Sequence, residues 1–204
     1  MTWKVLPAVS SFHASAADWD RLNARLHGGH PLLDSRFVGA LLTHFGSGDE
    51  RLCLHDNGLS IDGALILKPA AWGQWASFLP VQAPLCPLLI GNARPLENLF
   101  FALPGYTWSI DLLAVDPDFG PDWSGFRSPR RTITHETRMS VAFPSGFDSY
   151  WQARPVQLLK DLARERTGAD PGDPGLRLAM VTGAGSMASA LARYAQLKPS
   201  AAKD

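Results

Sequence analysis

The segment RLCLHDNGLSIDGALILKP, residues 51–69, constrains the fold more than any other stretch of this sequence. Two apolar runs flank Asp56-Asn57-Gly58, and these three residue types tolerate the left-handed backbone of a hairpin turn. The following segment, WGQWASFLP at 72–80, is again a strand-like run and predicts a third strand. A β-meander is therefore expected in the first half of the chain.

An opening strand and two amphipathic helices are predicted before this meander. The strand covers 3–9, and the first helix covers 15–28, with Ser15 as its cap and Gly28 as its stop. Its apolar residues repeat at helical spacing: Trp19, Leu22 and Leu26. The second helix covers 34–46 and is capped by Asp34 or Ser35. Its expected apolar face carries Phe37, Leu41, His44 and Phe45.

After the meander, the pattern alternates between loops, helices and strands. Three prolines in 80–89 exclude a central strand there and predict an ordered apolar loop. A helix is predicted at 94–105, with Pro95 at its first position and Gly105 past its end, and a strand covered on both faces at 106–116. A loop at 116–131 and a strand at 132–143 follow, and then a helix that begins at about 146 and restarts at Pro155. The last predicted elements are a linker at 169–175, a strand at 176–181 and a helix at 185–197. This order predicts an α/β or α+β domain with a largely antiparallel sheet.

Composition narrows the class of protein. Of 204 residues 46% are hydrophobic, which is enough for a substantial core. Nineteen basic residues balance nineteen acidic ones, so no charge excess favours nucleic acid as a partner. No run of about 18 apolar residues predicts a membrane span. With no signal peptide and two cysteines that lack metal-type spacing, the expected protein is cytoplasmic, with Cys53 and Cys86 as buried thiols.

Two sequence patterns suggest chemistry without establishing it. In VTGAGSMA, Gly183 and Gly185 lie between a predicted strand and a helix, an arrangement that can bind a phosphate or an acyl-CoA pyrophosphate. A simple strand-to-helix turn is the favoured interpretation, because too few residues follow to complete a dinucleotide site. The six histidines form no HxH or HExxH pattern, so no metal site is expected. His135 and Glu136 are neighbours on a predicted strand and therefore point to opposite faces.

The loop at 116–131 carries aromatic residues interleaved with arginines. They are Phe119, Trp123, Phe126, Arg127, Arg130 and Arg131. Such loops can stack on bases or line a ligand groove. The neutral net charge favours the simpler interpretation, in which the aromatic side chains anchor the loop and the arginines are solvated.

The stretch FDSYWQAR at 147–154, followed by a helix, resembles a segment of the CelD-like acetyltransferases of the GNAT superfamily, which are related to the FemAB aminoacyltransferases. Other segments resemble the family in the same order: ADWDRLNARL, HPLLDSRFVGALLTHFGSGDERL, GALILKP, WASFLPVQAPL and SMASALARYAQL. The resemblance extends over nearly the whole chain. It implies a GNAT-like first repeat at 1–145, a connecting helix at 146–168 and the start of an incomplete second repeat at 176–197.

The resemblance also implies a function. The expected activity is transfer of an acyl group from acetyl-CoA, another acyl-CoA or an aminoacyl donor to an amine or hydroxyl, in polysaccharide or cell-envelope metabolism. The donor would lie at a splayed pair of strands. Tyr150, Trp151 and Arg154 match the family pattern and are the expected substrate contacts, followed by Gln82; Glu136 and His135 are the candidate bases, and Gly183 and Gly185 the candidate cofactor contacts.

The expected partners are a small-molecule, saccharide or amine acceptor, without nucleic acid or metal. The alternative is a catalytically inactive, truncated repeat that serves as a binding or assembly module. In that case a second copy, or a partner chain, would complete the second repeat.

Overall fold

The computed structural model describes residues 2–134, 144, 146–158, 160–161 and 180–197. By its internal contacts the chain divides into two compact units, Met1–Thr137 and Arg138–Asp204. The first unit contains the sheet. Its elements, in chain order, are β1 Thr2–Pro7, α1 Ala8–Ser11, α2 Ala16–His27, α3 Ser35–Phe45, β2 Arg51–Asp56, β3 Ile61–Ala71, β4 Gln74–Ser77, β5 Leu88–Ile90, α4 Leu96–Ala102 and β6 Ser109–Asp111.

The sheet of the first unit is mixed and mostly antiparallel. Its strand order is β1-β2-β3-β4-β6, and β5 also pairs with β3. Every described pair of strands is antiparallel except β4 and β6, which run parallel. Helices flank the sheet, so the expected α/β class with a largely antiparallel sheet is confirmed. Among the described residues, no helix is long and apolar enough to cross a membrane.

The predicted hairpin forms around its expected turn. Asn57 Oδ1 accepts hydrogen bonds from the N–H groups of Leu59 and Ser60, and Asp56 Oδ1 accepts one from Gly58 N–H. Gly58 has a φ of 94°, a left-handed value that side chains rarely adopt. The side chains of the turn therefore satisfy its backbone and set the register of β2 on β3.

Both faces of the sheet are covered. On one face, α2 and α3 pack on alternate strand residues, and fully buried Trp19 donates an indole hydrogen bond to the Leu33 carbonyl at 2.7 Å. On the other face, α4 and the loop that follows β6 pack on the intervening residues. Because both faces are covered, consecutive residues are buried at 51–54 and 64–67, apart from the partly exposed Arg51.

Several predicted details of the first helices are wrong. Ser15 lies at the N-cap of α2, but its Oγ bonds back to the Ser11 carbonyl instead of capping the helix. A short helix, α1, occupies residues that were expected to finish the opening strand. On α3, Asp34 is the cap, as one alternative predicted, while His44 and Phe45 are exposed. The buried residues of α3 are Ser35, Val38, Leu41 and Leu42. The apolar residues of this helix allow two overlapping faces, and the structure buries the one that was not predicted.

The predicted strand at 106–116 is mostly not a strand. Only Ser109–Asp111 pair with β4, and this short segment is half-buried rather than covered on both faces. The predicted loop at 80–89 is a loop until Pro87, after which Leu88–Ile90 pair with β3 as β5. A proline lacks only its own backbone N–H, so a strand can begin directly after it. The helix predicted at 94–105 is shorter, with Pro95 at its N-cap.

The second unit contains two named helices, α5 Phe147–Gln152 and α6 Ala184–Leu197. The helix interruption predicted at Pro155 is confirmed, since 153–155 are not helical and 156–158 are. Gly146, with a φ of 83°, occupies the N-cap of α5. Most of the strands predicted at 132–143 and 176–181, and the linker at 169–175, lie outside the described residues.

Candidate functional site

The parallel pair β4 and β6 separates at a buried hydroxyl. The two strands pair from Gln74 opposite Ser109 to Ala76 opposite Asp111. At the next position, fully buried Ser77 uses its Oγ to accept a hydrogen bond from Leu113 N–H at 2.7 Å. The same hydroxyl donates to the Asp111 carbonyl at 3.3 Å. A side chain thus takes over from the backbone ladder at the point where the strands separate.

The chain leaves the sheet directly after this point. Phe78 N–H still bonds to the Ile66 carbonyl of β3, and the chain returns to the same edge of β3 at Leu88. The intervening residues form a loop that interrupts what would otherwise be one long strand. On its return, Cys86 N–H donates to the Ala114 carbonyl at 3.4 Å. Ala114 has a φ of 48°, the only left-handed non-glycine residue in the described part of the chain.

A small cleft, with a volume of about 10 Å³ and so room for roughly one water molecule, opens where these segments meet. We name it the strand-end cleft. Its lining residues are Leu33, Leu85, Cys86, Leu88, Ala114, Val115, Asp116 and Phe119. They come from the turn after α2, the loop between β4 and β5, and the segment after β6. Most of its lining residues are apolar, one is a carboxylate, and they include the exposed, left-handed Ala114.

Two histidines support the Phe119 wall of the strand-end cleft. The rings of His27 and His30 contact Phe119 edge-on, with centroid distances of 5.4 and 4.8 Å. Burial and the nearby His30 lower the pKa of His27. The His27 imidazole is therefore neutral at pH 7, and its enclosed Nε2 has no hydrogen-bond partner in the described residues. The sequence did not indicate that the two histidines contact Phe119.

Cys86 lines the cleft but is not a nucleophile. Burial raises the pKa of its thiol to about 12, and burial raises that of Cys53 to about 12 as well. A thiol with such a pKa holds almost no thiolate at neutral pH. Both cysteines are free and buried, as the sequence predicted.

These thiols predict a loss of stability in alkaline solution. Their pKa rises from 9.0 to about 12 on folding, so the unfolded state loses protons first. The stabilisation is complete below about pH 9 and declines as the pH rises towards about 12. Urea unfolding at about pH 8 and about pH 10 should show this decline, and it should be shallower in a variant with Cys53→Ala and Cys86→Ala. An equal decline in both proteins would contradict the assignment.

A buried histidine–carboxylate pair lies elsewhere on the sheet. His55 Nδ1 and Asp62 Oδ1 are 2.6 Å apart, and Asp62 Oδ2 accepts a hydrogen bond from Asn57. The sequence did not indicate this pair, because the two residues are not adjacent in it. His55 lies opposite Gly63 in the ladder of β2 and β3. The pair therefore braces the hairpin.

The predicted substrate contacts lie in two different units. In the second unit, the Arg154 guanidinium lies 3.8 Å from the centroid of the Tyr150 ring, and Trp151 stacks on Phe147 at 5.6 Å. The structure thus brings Tyr150 and Arg154 together, one turn apart around α5. In the first unit, Gln82 is exposed in the loop between β4 and β5 and does not line the strand-end cleft.

The structure gives no functional role to the remaining predicted site residues. His135 and Glu136 lie outside the described residues. Gly183 has a φ of 92° directly before α6, and Gly185 lies within that helix, which fits the simple strand-to-helix turn as well as a phosphate site. In the described part of the chain, no group of three metal-ligating side chains is close enough to bind an ion.

The aromatic and arginine-rich loop is anchored, as its simpler interpretation predicted. Trp123 and Phe126 pack against the core, and Arg130 lies 4.6 Å from the Trp123 ring centroid. Glu97 Oε1 accepts hydrogen bonds from the N–H groups of Arg127 and Ser128. The loop therefore closes one face of the sheet.

Comparison with known proteins adds no relative. No protein-family model, no curated protein and no solved structure matches this chain. The resemblance to acetyltransferases remains a prediction.

Proposed function

We propose that this chain is a GNAT-type acyltransferase that binds an acyl thioester, such as acetyl-CoA, in the strand-end cleft. One observation carries the proposal: the single parallel pair in the described sheet, β4 and β6, separates beside Ser77 and opens into the cleft. The resemblance implies a donor at a splayed pair of strands. The order of strand, helices, meander, helix and parallel strand is consistent with that family.

The cleft is too small to enclose a thioester tail, so we place only the acetyl end of the donor against its apolar lining residues. At the point where the strands separate, the Ser77 hydroxyl already bonds the backbone of Leu113 and Asp111, and Cys86 N–H bonds the Ala114 carbonyl. Val115 lines the cleft, and its N–H donates to no acceptor within the described residues. That N–H is the group we assign to the developing oxyanion.

The proposed reaction is a direct transfer. The acceptor amine or hydroxyl attacks the thioester carbonyl, its proton passes to a base, and the thiolate leaves as the carbonyl reforms. Cys86 cannot form an acyl-enzyme intermediate, because its pKa of about 12 leaves it protonated. Asp116 is the carboxylate in the cleft and the first residue to test as the base, beside the predicted His135 and Glu136.

The free cysteines bear on the compartment in which the protein works. Cys53 and Cys86 are both buried and unpaired, which suits a reducing environment. We include a cytoplasmic location in the proposal on this ground.

The alternative, a binding or assembly module, is favoured by a different observation. Met187, Leu191 and Tyr194 of α6 are spaced i, i+4 and i+7 and are all exposed. Such an apolar stripe commonly packs against a second chain. This alternative predicts self-association that is lost when Leu191 is replaced by a charged residue.

Calorimetric titration with acetyl-CoA tests the proposal. We expect binding with a Kd in the range of about 1 µM to 1 mM, and a loss of at least about tenfold when Val115→Phe fills the cleft. Val81→Phe, at a 99% exposed position in the loop between β4 and β5, is the matched control and should bind as the wild type does. Absence of binding at about 10 mM, together with self-association through α6, would replace the transferase with the assembly module.

A further inference from the structure

Three aromatic side chains form an exposed cluster at the opposite end of β4 from the strand-end cleft. Trp72, Tyr106 and Trp108 are 80%, 68% and 53% exposed. They come from the turn before β4 and from the segment before β6. We name them the aromatic platform. Large aromatic side chains grouped on a surface are uncommon without a binding role, because burying them would stabilise the fold.

The platform is held in place by the backbone beneath it. The Trp108 indole donates from Nε1 to the Trp72 carbonyl at 3.1 Å, and the N–H of Trp108 donates to the Gly73 carbonyl at 2.9 Å. The Trp72 and Tyr106 rings pack at a centroid distance of 5.6 Å. These contacts fix the rings before any ligand arrives, which lowers the entropic cost of binding.

Gly73 is required for this arrangement. It has a φ of 70°, and a Cβ at this position would lie 2.4 Å from Trp108 Cδ1. The turn between β3 and β4 therefore both bends the chain and makes room for an indole ring. A turn serving only to join two strands would not need that second property.

The surroundings of the platform are uncharged. Residues 69–75 and 103–110 contain no Asp, Glu, Lys, Arg or His. The nearest charged residues along the strands are Lys68 and Asp111, which have opposite signs. A nucleic acid or an anionic lipid would require a cluster of basic side chains, which these segments lack.

Small and hydroxylated residues surround the rings. Pro69, Ala70 and Ala71 are exposed, and Ser109 lies opposite Gln74 in the parallel ladder. The Thr107 hydroxyl is enclosed and has no hydrogen-bond partner in the described residues.

We propose that the aromatic platform is a binding site for a neutral saccharide. A pyranose ring has an apolar face that stacks on an indole or phenol ring, and a rim of hydroxyls that the amide of Gln74 and the hydroxyl of Ser109 can bind. The absence of charge matches an uncharged glycan. This inference is independent of the acyltransferase proposal, because the platform and the strand-end cleft share no residue.

Titration of the whole chain with cellopentaose, chitopentaose and maltopentaose, followed by calorimetry, tests the inference. We expect at least one of these neutral oligosaccharides to bind with a Kd between about 10 µM and 10 mM. Trp72→Ala and Tyr106→Ala should each weaken that binding at least about tenfold, while Trp72→Phe retains most of it. Phe101→Ala removes an 88% exposed aromatic outside the platform and should leave binding unchanged.

Three outcomes would overturn the inference. The first is no binding of any of the three oligosaccharides at about 10 mM to the folded wild type. The second is unchanged binding in both alanine variants, with their folding confirmed by circular dichroism. The third is a concentration-dependent dimer that Trp72→Ala dissociates, since this would make the platform a contact between copies of the chain. None of these outcomes bears on acetyl-CoA binding.

Discussion

Replacement of Trp19 by alanine should lower the free energy of unfolding by about 3–5 kcal/mol, the largest effect expected from a single change in this chain. Trp19 is fully buried between α2 and the sheet, and its ring lies edge-on to Phe12 at 5.2 Å. Its indole donates to the Leu33 carbonyl at 2.7 Å. The substitution therefore leaves a large cavity and an unsatisfied carbonyl at once.

The effect should also reach the strand-end cleft, because Leu33 is one of its walls. Trp19→Phe keeps most of the volume and loses only the hydrogen bond, so it should cost about 1–3 kcal/mol. Trp72→Ala removes an equally large but exposed ring and should change stability by less than about 1 kcal/mol. Urea unfolding measures all three. Similar losses for Trp19→Ala and Trp72→Ala would contradict the described core.

Ser77→Ala should loosen the separated strands and weaken acyl-CoA binding at least about tenfold. The substitution removes the acceptor of Leu113 N–H and the donor to the Asp111 carbonyl, both half-enclosed backbone groups. Leaving such groups unsatisfied costs about 1–3 kcal/mol of stability. The segment after β6 would then lose its attachment to β4. Because that segment forms one wall of the cleft, the wall would no longer be fixed.

Two matched variants separate this effect from a general loss of folding. Ser77→Thr keeps the hydroxyl and should retain binding within about threefold of the wild type. Ser109→Ala removes a hydroxyl on β6 that, among the described residues, bonds only to Asp111 Oδ1, and should change neither stability nor acetyl-CoA binding. Binding in Ser77→Ala equal to that of the wild type would show that Ser77 does not position the donor site.

Local chemistry explains which elements were predictable. The hairpin turn could be predicted from Asp56, Asn57 and Gly58 alone. The side chains of Asp56 and Asn57 accept hydrogen bonds from N–H groups of the turn, and Gly58 adopts its left-handed backbone. The stop of α2 follows equally from Gly28, whose φ is 64°. Both features depend on residues that are adjacent in sequence.

Tertiary contacts explain which elements were not. The strand at 106–116 was too long because only Ser109–Asp111 find a partner in β4, and the Ser77 hydroxyl binds the backbone beyond them. β5 was missed because its strand character depends on an open edge of β3. Neither cause is visible in the local pattern of apolar residues.

The strand-end cleft could not be predicted for the same reason. It joins Leu33, Cys86, Ala114 and Phe119, which come from three distant segments, and no motif links them. The buried pair of His55 and Asp62 was missed because a register shift beside Asp56 brings them together across the hairpin. The aromatic platform was partly visible, since Trp72 and Trp108 both lie near glycines in uncharged segments.

Backbone amide spectra of the folded chain during an acetyl-CoA titration test the central claim most directly. If the donor binds where β4 and β6 separate, the largest shifts should fall on Leu88, Leu113, Ala114 and Val115, with smaller ones on Leu33. Amides of the hairpin turn at Asn57 and of the platform at Trp108 should remain unchanged. Shifts centred elsewhere, or no shifts at about millimolar acetyl-CoA, would contradict an acyl-donor site in the strand-end cleft.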